Sequence, residues 1–175
     1  MKPKQLTTLA LYVTLSLAVY AIESAIPPFI PIPGIRLGLS NIITLILLHR
    51  YSLRETALVL TARILLSTLL FGQFMSFFYS LSGGFLSLLA MFLTCRLLRG
   101  KMRFLTGAVG GLTHNLGQLL TAFALTATPG VLAYLPFLVL SGILTGLFTG
   151  FAAFFTDKYL LSHRSREDSS SSASS

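Results

Sequence analysis

Long apolar runs separated by short polar ones set the pattern of this chain. The first run predicts a helix from about Leu6 to Ala25, stopped at Pro27-Pro28 because proline removes a backbone donor and restricts the residue before it. Ile26 to Arg36 then reads as a proline-rich loop. A second helix, Gly38 to Leu48, rises about 1.5 Å per residue and covers only about half of a hydrocarbon layer, so irregular backbone must complete that crossing. A third helix starts at the capping box Ser52-Leu53-Arg54-Glu55 and continues to about Phe71. Further runs predict helices over Leu81–Leu98, Phe104–Thr126 and Pro136–Thr156, the last preceded by a turn at Thr128-Pro129-Gly130. These readings amount to an all-α integral membrane protein, a six-transmembrane-helix bundle with an irregular outer loop before a short second helix.

Composition reinforces the pattern. The 175 residues are 54% hydrophobic and 10% charged, with mean hydropathy +0.80, whereas charged residues make up about a quarter of a soluble domain. The N-terminal run exceeds the roughly 7–15 residues of a signal-peptide apolar core, so it reads as a retained helix. Residues 1–161 form one transmembrane domain, and residues 162–175, rich in serine, read as a disordered tail. Cys95 is the single cysteine, which leaves no internal disulfide and no thiolate metal cluster.

A net charge of +8 suggests nucleic acid in a soluble protein, but here the cations punctuate apolar runs and report topology, with no nucleic-acid partner implied. Of the 13 Lys and Arg, all but Arg36 and Arg63 fall at the termini or in the loops that share their side, which predicts both termini in the cytoplasm.

Several polar residues lie where lipid makes them costly. Arg63 is about 15 Å along the third helix, near the bilayer middle, where an arginine costs at least about 2.5–3.5 kcal/mol unless it meets a partner or a wet cavity. The plain alternative is a structural arginine bonded to neighbouring carbonyls. On the fifth helix His114 and Gln118 are i,i+4 neighbours and Asn115 and Gln118 are i,i+3 neighbours, on one broad face. With Asn41 they lie within about a turn of the depth of Arg63. Each alone suggests an interhelical hydrogen bond worth about 0.6 kcal/mol; together they suggest a binding site. Asn41, Arg63, His114, Asn115 and Gln118 are therefore expected to converge, with Arg36 and the Pro27–Pro33 loop closing the outer side. Glu23 is expected to pair with Arg36 and steady that loop. Phe71, Phe74, Phe77, Phe78 and Tyr79 suggest either a lid or an interfacial aromatic belt.

Gly142, Gly146 and Gly150 repeat at four-residue intervals, a face on which another helix can approach closely; Gly107, Gly110, Gly111 and Gly117 make the fifth helix its internal mate. Gly146, and more weakly Ala21 and Ala25, are also candidate faces for a partner subunit. No phosphate loop, GxSxG elbow, HExxH pair or aspartate-rich run is present, so ATPase, serine hydrolase, zincin or unaided prenyl synthase chemistry is not expected, and no cofactor is implied.

The stretch Glu23-Ser24-Ala25-Ile26-Pro27, the run Pro33-Gly34-Ile35-Arg36-Leu37-Gly38-Leu39-Ser40-Asn41, Arg63, Ser82-Gly83-Gly84 and the run Gly110 to Gln118 together resemble the Gx transporter family, often labelled heptaprenyl diphosphate synthase component I. The resemblance extends from Leu6 to about Thr156. That family is similar to the substrate-binding S components of energy-coupling factor transporters. The resemblance implies a bacterial plasma-membrane protein that captures a small molecule, anionic or strongly hydrogen-bonding, and works with a transmembrane coupling subunit and separate ATPases. The synthase label implies instead a non-catalytic accessory subunit of heptaprenyl diphosphate or isoprenoid-quinone synthesis, or of membrane redox machinery.

The charge pattern predicts that tags at Met1 and Ser175, and cysteines placed between Arg99 and Arg103, stay unlabelled by impermeant reagents in intact cells, while a cysteine at Ile32 is labelled. Labelling of the Arg99–Arg103 loop from outside reverses the topology.

Overall fold

The structure, a computed structural model, describes residues 3–26, 35–72 and 74–173, with the side chain of Asp157 and those beyond Tyr159 left out. The described chain is all-helical: α1 (Pro3–Ala25), α2 (Asn41–Arg50), α3 (Leu53–Phe71), α4 (Phe74–Leu97), α5 (Arg103–Thr126), a 3-10 helix (Pro129–Tyr134) and α6 (Leu135–Ala173). The Pro27–Pro33 loop lies outside the described residues.

α3 starts where its sequence signature places it. The Ser52 hydroxyl accepts the Glu55 amide and the Glu55 carboxylate accepts the Ser52 amide at 2.8 Å, which satisfies two otherwise unpaired helix donors. Glu55 also accepts a hydrogen bond from Gln5, which ties the base of α1 to that of α3. α3 ends at Gly72, whose φ of 65° gives a left-handed cap with its amide on Thr68 O. α4 then begins at Phe74 rather than near Leu81: its aromatic first turns contain no proline or glycine to break them, so Phe77 and Tyr79 pack inward as helix residues while Phe74 is 78% exposed. α6 likewise runs through 162–173, the stretch read from composition as a tail. Extending an established helix costs no new nucleus, so weak helix formers can follow strong ones.

α2 has only 10 residues yet packs against every other α-helix. Asn41, Ile43, Thr44, Leu45, Ile46 and Leu47 are all buried, as a helix apolar on nearly every side must be when it occupies the middle of a bundle. Around it, α5 lies between α4 and α6, and α1 lies against α3. Outward faces are apolar, with Leu69, Leu70, Ile22 and Leu97 all more than 60% exposed. Three helical stretches, Pro3–Ala25, Phe74–Leu97 and Pro129–Thr156, are long and apolar enough to cross a membrane. α3 and α5 carry more polar side chains, Arg54, Glu55 and Arg63 on one and the His114–Gln118 run on the other.

Missing side chains set the distance between α5 and its neighbours. A Cβ on Gly146 would sit 2.3 Å from Gly107 O, one on Gly111 would sit 2.1 Å from Gly142 O, and one on Gly150 would sit 2.7 Å from Phe104 Cα. The α6 seam is thus filled by α5 of the same chain, which corrects the reading of Gly146 as a face for another subunit. On the opposite flank, Gly117 approaches Gly83 backbone to backbone and Gly110 receives the Met91 side chain. Ala25 stays exposed and Ala21 half-buried.

Gly146→Ala is expected to cost about 1–3 kcal/mol, since added volume there must push backbones apart. Ala25→Leu at an exposed position should stay within about 0.5 kcal/mol of the parent. Unfolding midpoints in detergent check both; equal midpoints would mean that the α5–α6 seam is not tightly packed.

Candidate functional site

Between α1 and α2 the chain returns into the bundle as irregular backbone over residues 35–40. Buried backbone groups need partners, and here side chains of the surrounding helices supply them. The Gly38 amide donates to Glu23 Oε1 of α1 at 2.6 Å, and the Arg36 amide donates to Gln118 Oε1 of α5 at 3.2 Å. The Leu37 carbonyl accepts from Thr145 Oγ1 of α6 at 3.4 Å. From Gly38 onward, amide bonds from Asn41 to Gly38 O and from Ile42 to Leu39 O, both 3.0 Å, wind the strand of backbone into α2. Ser40 Oγ accepts from Arg63 Nη1 of α3.

Gly38 is required twice at this point. Its φ of 80° is a conformation that side chains disfavour, and a Cβ would lie 2.6 Å from His114 Cδ2 and 3.1 Å from Asn41 Nδ2. The same contact places His114, Asn41 and the irregular segment in one layer.

Three charged side chains lie near it. Glu23 is 5% exposed and Arg63 3%, and the carboxylate lies within coulombic reach of both Arg63 and Arg36. The Arg36 guanidinium covers the Tyr20 ring at 4.2 Å and donates to Ser24 Oγ at 2.6 Å and Ser76 Oγ at 3.2 Å, while Tyr20 Oη and Ser76 Oγ are 3.1 Å apart. Arg63 lies 6.0 Å from the same ring. A desolvated cation over an aromatic face gains about 2 kcal/mol, which helps to offset burial. Glu23 is therefore more than the loop-steadying acid expected from sequence: it is buried, and it anchors the Gly38 amide.

The polar residues expected to converge do so in two groups. Asn41, Arg63, His114, Gln118 and the backbone of Arg36 share the central layer, with Gln118 Nε2 3.0 Å from His114 Nε2. Asn115 turns instead to α6, donating to Leu138 O at 2.8 Å and Ser141 Oγ at 3.1 Å. Sequence reasoning missed Tyr20, Ser24, Ser40, Ser76 and Thr145 as participants. Only Ser40 had a usable signal, its place beside Asn41 in the Leu37–Asn41 stretch; single hydroxyls on apolar helices bond their own backbone just as readily. Of the outer aromatics, Phe71 packs against Tyr20 with its ring tilted at 53° and the centroids 5.5 Å apart.

Some buried polar atoms are left over. Both amide atoms of Asn41, Nε and Nη2 of Arg63, Asn115 Oδ1 and Ser87 Oγ have no hydrogen-bond partner among the described residues. Each such group costs about 1–3 kcal/mol, and those of Asn41 and Arg63, which lie together about Ser40, are a cost that a bound polar group would relieve. No group of three metal-ligating side chains occurs among the described residues.

The family model described as heptaprenyl diphosphate synthase component I matches residues 12–156, a span that includes the whole polar centre. Comparison with curated proteins and with solved structures gives no match.

Two glycines with positive φ separate backbone strain from crowding. Gly72→Ala, with nothing within 4 Å of the added carbon, should lose only the left-handed penalty of about 1–2 kcal/mol. Gly38→Ala carries the same penalty and must also displace His114, so its unfolding midpoint should fall further. Equal losses would mean that the central layer is not tightly packed.

Proposed function

Because the chain belongs to the heptaprenyl diphosphate synthase component I family, we propose that it is a membrane-embedded, non-catalytic component serving heptaprenyl diphosphate synthesis beside a separate subunit that carries the chemistry. The family match over 12–156 carries this reading. The geometry supports it in one respect: Glu23, Gln118 and Thr145 hold the irregular backbone in place and Arg63 holds the Ser40 side chain, which is scaffold work. In this reading the chain crosses the membrane six times with both termini in the cytoplasm. The irregular segment and α2 together make one crossing, because about 15 Å of helix spans only half of the hydrocarbon.

A second reading is favoured by the unpartnered atoms of Arg63 and Asn41. Buried donors and acceptors beside a broken helix are how binding sites for small solutes are built within membranes. On this reading the protein captures a solute and a transmembrane coupling subunit with ATPases powers its release.

Gentle purification of the tagged full-length chain from its own cells, followed by mass spectrometry of both proteins and small molecules, separates the two. The accessory role predicts co-purification of a prenyl diphosphate synthase subunit whose product formation rises when this chain is present. Recovery of ATPases and a bound metabolite, with no effect on prenyl synthesis, would overturn it in favour of solute capture.

A further inference from the structure

The two unused donors of Arg63, Nε and Nη2, lie on one edge of its guanidinium, while Nη1 on another edge holds Ser40. A guanidinium edge with two parallel N–H groups matches the two oxygens of a carboxylate bidentately. The charges around it can be counted. Counted formally, Arg36 and Arg63 bring two positive charges and Glu23 one negative charge to the same centre. From sequence, Glu23 is the only acidic residue before Glu55, the chain has none from Thr56 to Thr156, and the residues 27–34 contain no charged side chain. The formal count leaves one positive charge in excess at the centre. One negative charge balances it, whereas a diphosphate, with two or three, leaves net negative charge buried in a medium where unbalanced charge is costly.

From the edge and the count we propose that the Arg63 edge binds the carboxylate of a small monoanionic ligand, and that diphosphates are refused. The proposal rests on the solute-binding reading above and narrows it to one chemical class. Asn41, next to the Ser40 that Arg63 holds, offers an unused amide donor and an unused carbonyl acceptor for a second polar group on the same ligand. Both side chains are at least nine-tenths buried, Asn41 being 2% exposed, so the ligand is enclosed and small. Glu23 sets the selectivity through its charge. Glu23→Gln keeps an oxygen to accept the Gly38 amide but raises the excess to two positive charges.

The test is thermal unfolding of the full-length protein in mild detergent with sodium acetate, pyruvate, butyrate or benzoate, against phosphate and diphosphate, using sodium chloride at matched ionic strength as the baseline. Any small molecule released on denaturation is identified by mass. At least one monocarboxylate is expected to raise the midpoint of the parent above the chloride baseline, with diphosphate giving no rise. Arg63→Lys keeps the charge without the paired edge, and should weaken the response roughly tenfold or more while its own yield and midpoint report that it folds. Glu23→Gln should acquire a response to phosphate or diphosphate. Stabilisation of the parent by diphosphate alone, or a co-purified ligand without a carboxylate, would overturn the proposal while leaving a solute site in place. An undiminished response in Arg63→Lys would overturn the assignment to that edge. No response to any anion, with no small molecule released, would end both the proposal and the solute-binding reading.

Discussion

The 2.6 Å hydrogen bond from the Gly38 amide to the Glu23 carboxylate joins the end of α1 to the start of the central helix, and the rest of the polar interior is arranged around it. An amide buried in the middle of an apolar bundle must have an acceptor, and a carboxylate supplies a stronger one than a carbonyl does. The acceptor brings a negative charge with it, and the two arginines that answer this charge come from the returning segment and from α3. Each then needs its own neighbours. Arg36 takes the Tyr20 face, Ser24 and Ser76; Arg63 takes Ser40 with one nitrogen and keeps two in reserve. One backbone constraint thus propagates into a charged centre.

Close backbone packing makes this arrangement reachable. α5 can bring His114 and Gln118 to the irregular segment because glycines face it on both flanks, Gly83 from α4 and Gly142, Gly146 and Gly150 from α6. Side chains at those positions would hold α5 farther out, beyond the reach of a glutamine to the Arg36 amide. The apolar helices supply the enclosure, and the polar layer supplies register, since Asn115 on Leu138 and Ser141 and Thr145 on Leu37 lock α6 to the rest. Membrane helices gain little from hydrophobic burial against one another, so such small-residue contacts and polar locks carry much of the specificity.

Periodicity and punctuation made most of the architecture legible. The Ser52–Glu55 capping box fixed the start of α3, and the shortness of the apolar run before Arg50 announced irregular backbone ahead of α2. Where boundaries were missed, at Phe74 and beyond Thr156, nothing in the local sequence stopped a helix that could keep growing. The convergence of Asn41, Arg63, His114 and Gln118 was legible because lipid makes each of them expensive. The role of Glu23 was not, because a carboxylate near a helix end beside a proline-rich loop reads equally well as a surface ion pair. Its partner, an amide of the backbone, leaves no mark on a sequence. Nor did spacing alone tell that Asn115 faces α6 while its neighbour His114 faces the centre. The glycines of α6 were recognised as a seam, but which helix filled it was a matter of topology.

The polar centre keeps its geometry only if the irregular segment is held by side chains rather than by solvent. Amide hydrogen exchange in lipid nanodiscs measures this at Arg36 and Gly38 directly, comparing the parent with Glu23→Ala. Strong protection of both amides is expected in the parent, with selective loss at Gly38 in the variant and the amides of α5 unchanged. A Gly38 amide that exchanges at the free-peptide rate in the parent would contradict this hold by side chains.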